Sequence, residues 1–169
     1  MFRPGNKLVV KRRKKIRKNA RKNVLPLSDI EKYLRRSASY LGAIYVSSFK
    51  NLVVKAKCYS FLIYCKHHWI VLYCTKDSVE IFDSLGFLKT KSCITNNVLN
   101  FIKNQIGSKN FKSNHTIQSP TSQLCGIYSL YYILKRDNGH TFEQIMKTFT
   151  DNLLENDALM LRYFNKLSM

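Results

Sequence analysis

The sequence predicts an α+β domain whose mainly antiparallel sheet packs against a helix that begins at a cysteine. Runs at 59–65 and 69–74, rich in β-branched and aromatic residues and free of Gly and Pro, are typical of central strands. A third run at 78–83 follows across a short turn, so the three should pair as antiparallel neighbours. Apolar residues favour helices over 94–106 and 125–135.

The chain length fits one domain, preceded by a segment of different composition. The 169 residues, 45% hydrophobic and 12% aromatic, can bury a substantial core. The net charge of +19 is unevenly spread, because residues 3–22 hold eleven of the 29 basic residues and no acidic one. We therefore predict a basic tail over 1–24 and a single folded domain over 25–169.

The basic tail is a candidate nucleic-acid contact. Its positive charges repel one another and it has few apolar residues, so we expect it to be disordered or to become ordered on binding a polyanion. A solubilising arm, a nuclear-import signal and a nucleic-acid contact all fit this composition. The other 18 basic residues exceed the ten acidic ones, which favours nucleic acid over an acidic membrane as partner. The candidate contacts are Lys11, Arg12, Arg13, Lys14 and Lys15.

The cysteines are interpreted as reduced thiols. They are odd in number, lack CxxC spacing and mostly lie in apolar runs, at Cys58, Cys65, Cys74, Cys93 and Cys125. The chain has no apolar leader and no apolar stretch of membrane length, so we expect an intracellular protein without a membrane contact. No metal site is predicted, because Cys65, His67 and His68 lack further ligands at regular spacing.

The remaining elements follow from caps, turns and periodicity. Ser28 and Glu31 have the spacing of a capping box, which predicts a helix to about residue 36. An aromatic-rich loop is expected over 45–49, and Gly107 should end the helix of 94–106. The last predicted elements are a strand at 114–118 and helices at 142–152 and 157–165.

Cys125 has the sequence context of a nucleophile. Ser122 is the predicted N-cap of its helix, which places the thiol in the first turn. The unpaired amides and the positive dipole end found there stabilise a thiolate relative to a thiol. Such a nucleophile also needs a base, a carboxylate that orients the base, and donors for an oxyanion.

Three residues match these requirements. His68 stands before a strand and next to Trp69, the only tryptophan. Asp83 closes the following strand, so both side chains can lie at the same end of neighbouring strands, although an ordinary turn aspartate would look alike. Gln118 precedes the helix, and its amide can turn back to join the Cys125 N–H as an oxyanion donor.

Three blocks of the sequence resemble the adenovirus-type cysteine proteases, the adenain family, and their relatives encoded by virus-like transposons. In chain order they are His68-Trp69, Asp83-Ser84-Leu85-Gly86-Phe87 and Gln118-x-Pro120-x-Ser122-x-x-Cys125-Gly126. The seven-residue step from Gln118 to Cys125 is the most specific match. The resemblance extends from about residue 28 to the end and excludes the basic tail.

The resemblance implies a papain-like fold and a cysteine endopeptidase domain over 25–169. It implies that Cys125 is the nucleophile, His68 the general base, Asp83 its orienting partner and Gln118 an oxyanion donor. The implied substrates are viral structural precursors, capsid or core proteins, cleaved at Gly-containing sites in the host nucleus or virion. The implied chemistry needs no cofactor, and DNA is a candidate activator. We expect a monomer.

Two other functions stay open at this point. Asp83 stands where the adenoviral enzymes carry a glutamate, and an aspartate there resembles the SUMO-deconjugating proteases. Those proteases usually have fewer residues between the glutamine and the cysteine. Such an enzyme would release a ubiquitin-like protein by the same chemistry. An inactive DNA-binding structural protein with the same fold would also account for the charge.

Overall fold

The computed structural model describes residues 25–47, 49 and 52–169. The basic tail and its five candidate nucleic-acid contacts lie outside the described residues. The described residues form a mixed α+β domain around a five-stranded sheet with the order β1-β2-β3-β4-β5. The strands are β1 (Tyr40–Tyr45), β2 (Tyr59–Cys65), β3 (His68–Cys74), β4 (Ser78–Phe82) and β5 (Asn110–Ser113).

The middle of the sheet is antiparallel and its two edges are parallel. β3 pairs antiparallel with β2 and β4, whereas β1 runs parallel to β2 and β5 runs parallel to β4. The expectation of a mainly antiparallel sheet is therefore correct for the three central strands and wrong at the edges. Parallel neighbours need long connections, which leave no short turn signal in the sequence.

Helices cover both faces of the sheet. They are α1 (Leu27–Leu34), α2 (Phe87–Thr90), α3 (Asn96–Ile106), α4 (Cys125–Asp137), α5 (Phe142–Met146) and α6 (Leu153–Leu167), with a 3₁₀ turn at Lys91–Cys93. Among the residues that the structure describes, no helix is long and apolar enough to cross a membrane.

The central strand β3 divides the core into two layers. Trp69 and Val71 pack in one cluster with α4, and Ile70 and Leu72 pack in the other with α3. This alternation follows from the two-residue repeat of a strand. All seven residues of β3 are buried, so its first residue, His68, starts a strand that is constrained on both faces.

Two predicted features near the start of the domain are wrong. α1 begins at Leu27, after Pro26, and no side chain caps it, so Ser28 lies inside the first turn and forms no capping box. Glu31 instead accepts a hydrogen bond from the Tyr40 hydroxyl at 3.2 Å. Residues 40–45, for which no strand was predicted, pair with β2 as strand β1, and the loop expected over 45–49 begins where this strand ends.

Two predictions in the second half of the chain are also wrong. Residues 114–118 form no strand, and β4 takes Asn110–Ser113 as its parallel partner. The helix predicted over 142–152 ends as α5 at Met146. Asn152 instead caps α6, because its side chain accepts hydrogen bonds from the first amides of that helix.

Two cysteines are joined, so the expectation that all five are reduced is wrong. Cys65, at the end of β2, forms a disulfide with Cys93 across Cα atoms 6.0 Å apart. Cys58, Cys74 and Cys125 are free. The pair is 28 residues apart in sequence, and only the fold brings it together. No group of three metal-ligating side chains occurs in the part of the chain that the structure describes.

A buried ion pair ties α4 to the sheet. Arg136 Nε lies 2.9 Å from Oε2 of Glu80, whose exposed fraction is 1%. The Tyr132 hydroxyl donates to the same oxygen at 2.6 Å, and the Ser78 hydroxyl donates to Oε1 at 2.9 Å. Hydrogen bonds thus surround the carboxylate, and they fix the position of α4 along β4.

Removing the cation of this pair should destabilise the fold strongly. Arg136→Met leaves the Glu80 charge buried and uncompensated, so we expect the free energy of unfolding to fall by about 3–5 kcal/mol. The control is Lys32→Met, which removes the exposed pair with Asp29 and should cost less than about 1 kcal/mol. Urea denaturation measures both losses. Equal effects would contradict the prediction.

Candidate active site

The hairpin between β2 and β3 positions His68. Lys66 and His67 form its turn, and both have positive φ, at 44° and 66°. This conformation costs free energy in residues other than glycine, and such strain often occurs near functional sites. The register places Cys65 opposite His68. The turn therefore fixes where the imidazole leaves the sheet.

The His68 imidazole lies against a buried carboxylate. Its Nε2 is 2.7 Å from Oδ1 of Asp83, the residue that follows β4. Asp83 is fully buried, and its carboxylate also accepts hydrogen bonds from the Leu85 amide at 2.9 Å and from the Thr90 hydroxyl. These donors compensate a charge that would otherwise be costly to bury. The structure brings together the two residues that the sequence paired.

Asn114 fixes the backbone of Asp83. Its Oδ1 accepts from the Asp83 amide at 2.8 Å, and its Nδ2 donates to the Asp83 carbonyl at 2.7 Å. These two bonds take the place of the hydrogen bonds that a neighbouring strand would supply at the end of β4. Neither Asn114 nor Thr90 was predicted, because no local sequence signal marks them and only the fold brings them to the carboxylate.

Cys125 is the first residue of α4, and its exposed fraction is 3%. Leu124 occupies the N-cap without a side-chain bond, so the predicted cap at Ser122 is wrong. The first paired amide of the helix is that of Ile127, which donates to the Leu124 carbonyl at 2.8 Å. Within the described ranges the amides of Cys125 and Gly126 have no acceptor, so two donors are free beside the thiol.

The imidazole connects Asp83 to Cys125. The Cys125 side chain and Asp83 both act on the ring, because each raises the pKa of His68. Because Nε2 faces the carboxylate, Nδ1 is the ring nitrogen left for sulfur. Burial lowers the pKa of His68, but the interactions with Asp83 and Cys125 outweigh it and raise the pKa to about 9. At neutral pH the ring is therefore an imidazolium that donates to Asp83.

Gln118 is held in the loop that precedes Cys125. Its Oε1 accepts from the Ser84 hydroxyl at 2.5 Å, and its Nε2 donates to the Ser122 carbonyl at 2.8 Å. The Ser84 carbonyl also accepts a hydrogen bond from the backbone amide of Gln118 at 2.9 Å. The side chain thus links the turn after β4 to the loop before α4. Its role as an oxyanion donor stays a prediction.

The apolar side chains of Leu25 and Trp69 pack closely against the start of α4. A Cβ at Gly126 would lie 2.8 Å from Leu25 Cβ and 3.4 Å from Trp69 Cδ1, so only glycine fits this approach. The Leu25 carbonyl accepts a hydrogen bond from Trp69 Nε1 at 3.0 Å. Trp69 packs on Tyr64, with ring centroids 4.5 Å apart. Leu25 therefore lies beside the first turn of the helix that carries Cys125.

A solved structure shares the fold and carries no functional assignment. The central domain of an uncharacterized protein from Legionella pneumophila is similar over 87% of this chain and 97% of that chain, with 13% identity and a TM-score of 0.51. At this identity the similarity shows the fold alone. No protein-family model and no curated protein matches the sequence.

The stabilisation that His68 provides should depend on pH. Its pKa rises from an ordinary value of 6.5 to about 9 in the folded protein, so this stabilisation is fully present below about pH 6.5 and is lost as the pH rises through about 9. The difference in unfolding free energy between the wild type and His68→Gln should shrink by on the order of 3 kcal/mol from about pH 6.5 to 9.5.

Urea denaturation at the two pH values tests this expectation. The control is His115→Gln, because the His115 side chain is exposed, and its difference from the wild type should not change between the two pH values. A His68→Gln difference that is the same at both would show that folding does not stabilise the protonated ring.

Proposed function

We propose that the protein is a cysteine endopeptidase of the adenain type with a papain-like fold. One observation carries the proposal. The His68 imidazole is hydrogen-bonded at 2.7 Å to the buried Asp83, and its interaction with Cys125, the first residue of a helix, helps to raise the pKa of the ring. A nucleophile, a base and an orienting carboxylate in this order are what thiol-dependent acyl transfer requires.

The first step forms a thioester. The Cys125 thiolate attacks the carbonyl carbon of the scissile peptide bond, and an electron pair moves to the carbonyl oxygen. The proposed donors to this oxyanion are the Gln118 side-chain amide and the backbone amide of Cys125, with the Gly126 amide beside them. The His68 imidazolium then gives its proton to the leaving nitrogen as the C–N bond breaks.

The second step releases the product. Neutral His68 takes a proton from a water molecule, which attacks the thioester carbon. The C–S bond breaks, the carboxylic acid leaves, and the thiolate and imidazolium return. Asp83 holds the ring orientation in both steps and stabilises its cationic form. This chemistry requires no cofactor.

The proposed substrates are structural precursors of a virus or virus-like element, capsid or core proteins cleaved at Gly-containing sites. The resemblance of the three sequence blocks to adenain-type proteases supports this choice. We place the activity in the host nucleus or virion and propose a monomeric enzyme.

DNA is the proposed activator. The charge of +19 supports it, because an enzyme held on a polyanion meets DNA-bound substrates more often. The basic tail joins the domain at Leu25, which packs against Gly126 and bonds Trp69.

A deconjugating protease is the second candidate. The observation that favours it is the identity of the His68 partner, an aspartate rather than the glutamate of the adenoviral enzymes. The same two steps would then release a ubiquitin-like protein from a lysine side chain.

Cleavage of a peptide library, with and without DNA, tests the proposal. Cys125→Ala should reduce cleavage by at least about 10³-fold, because the variant has no nucleophile. The circular dichroism spectrum should stay unchanged, because only a sulfur atom is removed. Cys58→Ala removes an exposed free thiol and should retain full activity.

Three results would change the assignment. Cleavage that survives Cys125→Ala would contradict the proposed nucleophile. Rapid labelling of Cys125 by a SUMO C-terminal probe, without cleavage of the peptides, would favour the deconjugase. DNA binding without selective alkylation of Cys125 by iodoacetamide would favour an inactive DNA-binding protein.

A further inference from the structure

We propose that Ser84, the residue after Asp83, is a positioning residue that orients the Gln118 carboxamide and thereby aims one of its N–H groups at the developing oxyanion. The inference rests on the proposed peptidase function and on the role of Gln118 within it. It assigns a task to a buried hydroxyl that takes no part in the two chemical steps.

The Gln118 carboxamide is held from both sides. The Ser84 hydroxyl donates to its Oε1 at 2.5 Å, and its Nε2 donates to the Ser122 carbonyl at 2.8 Å. The terminal torsion of a glutamine has a broad energy minimum, so contacts rather than a rotamer preference must hold the plane of the amide. Ser122 therefore decides which end of the amide carries the nitrogen, and Ser84 fixes the other end.

Burial makes the Ser84 contact hard to replace. Ser84 and Gln118 are each 1% exposed, so water cannot easily reach Oε1. Without the hydroxyl, this oxygen would lose its donor in a place that excludes solvent, which is unfavourable. The carboxamide would then rotate toward any other donor in reach, and its nitrogen would change direction with it.

Ser84 itself is fixed in position. Its backbone carbonyl accepts hydrogen bonds from the amides of Ile117 and Gln118, each at 2.9 Å. The preceding residue is Asp83, whose backbone Asn114 holds at 2.8 and 2.7 Å. The hydroxyl thus donates from a point that is fixed relative to both the carboxylate and the glutamine. One turn therefore positions the partner of the general base and a proposed oxyanion donor.

The carboxamide keeps one hydrogen that an oxyanion can take. Nε2 carries two hydrogens. One is donated to the Ser122 carbonyl at 2.8 Å, whereas the contact with the Ser122 hydroxyl is 3.4 Å long. A contact of that length is beyond the usual range of an N–H hydrogen bond, so it opposes transfer of this hydrogen to an oxyanion only weakly. The direction of the N–H is set by the amide plane that Ser84 holds.

Two reactions of Cys125 separate the orientation of an oxyanion donor from a general effect on the site. Peptide cleavage passes through an oxyanion, which its donors must meet at hydrogen-bond distance. Alkylation by iodoacetamide forms an S–C bond as iodide leaves, and no oxyanion develops. Alkylation reports the thiolate and the pair of His68 and Asp83. Loss of Ser84 should therefore slow cleavage far more than alkylation.

Ser84→Ala should lower kcat about 10- to 100-fold for a peptide that the library shows to be cleaved, the range expected for a misplaced donor. KM, the rate of Cys125 alkylation and the pH dependence of that rate should stay within about twofold of the wild type. The matched control is Ser60→Ala. Ser60 is also fully buried and lies 3.0 Å from the Ser39 hydroxyl, at the end of β2 away from the His68 hairpin, so its loss should leave kcat unchanged.

Two further variants test whether Ser84 acts through Gln118. Gln118→Ala should lower kcat about 10²- to 10³-fold, and Ser84→Ala should add nothing to that loss in the double variant. Ser84→Thr keeps the hydroxyl and should retain kcat within about threefold of the wild type.

Four results would overturn the inference. They are unchanged cleavage in Ser84→Ala, equal losses of cleavage and alkylation in that variant, a double variant that loses the product of both single losses, and a normally alkylated Ser84→Thr that cleaves as slowly as Ser84→Ala. A wild-type protein that is alkylated at Cys125 but cleaves no peptide would overturn the proposed function and this inference with it.

Discussion

The buried charge of Asp83 is the constraint on which the candidate site depends. A carboxylate without solvent is stable only when donors surround it. His68 comes from a hairpin, the Leu85 amide from the following turn, and the Thr90 hydroxyl from α2. Asn114 holds the backbone from a fourth segment. Sheet register, turn geometry and helix position are therefore all tied to one group.

Helix α4 presents Cys125 because it is anchored at both ends. Near its C-terminus Arg136 bonds the buried Glu80 of β4 at 2.9 Å. Near its N-terminus the Tyr128 hydroxyl lies 3.1 Å from the Ile117 carbonyl. These contacts restrict sliding and rotation of the helix, so the distance from thiol to imidazole is set by the whole domain and not by one loop.

The sequence allowed the central strands, α4 and the grouping of His68, Asp83 and Cys125 to be predicted, because their signals are local: apolar runs, a hairpin and a helix start. The parallel edge strands could not be found, since their partners lie far apart in sequence. Thr90 was missed for the same reason. Ser122 was misassigned because the helix begins later, with Leu124 at its N-cap, and the Ser122 hydroxyl instead accepts from Gln118 Nε2 at 3.4 Å.

The Cys65–Cys93 disulfide and the free Cys125 thiol are favoured by opposite redox conditions. Cys65 lies across the hairpin from His68, and Cys93 follows three residues after Thr90, which bonds Asp83. A reductant that keeps Cys125 in its thiol form also favours opening of this link, while an oxidant that closes the link can convert the Cys125 thiol to sulfenic acid. The closed disulfide and the unoxidised Cys125 thiol therefore exist together only over a range of ambient redox potential: below it the cross-link opens, and above it the thiol is oxidised.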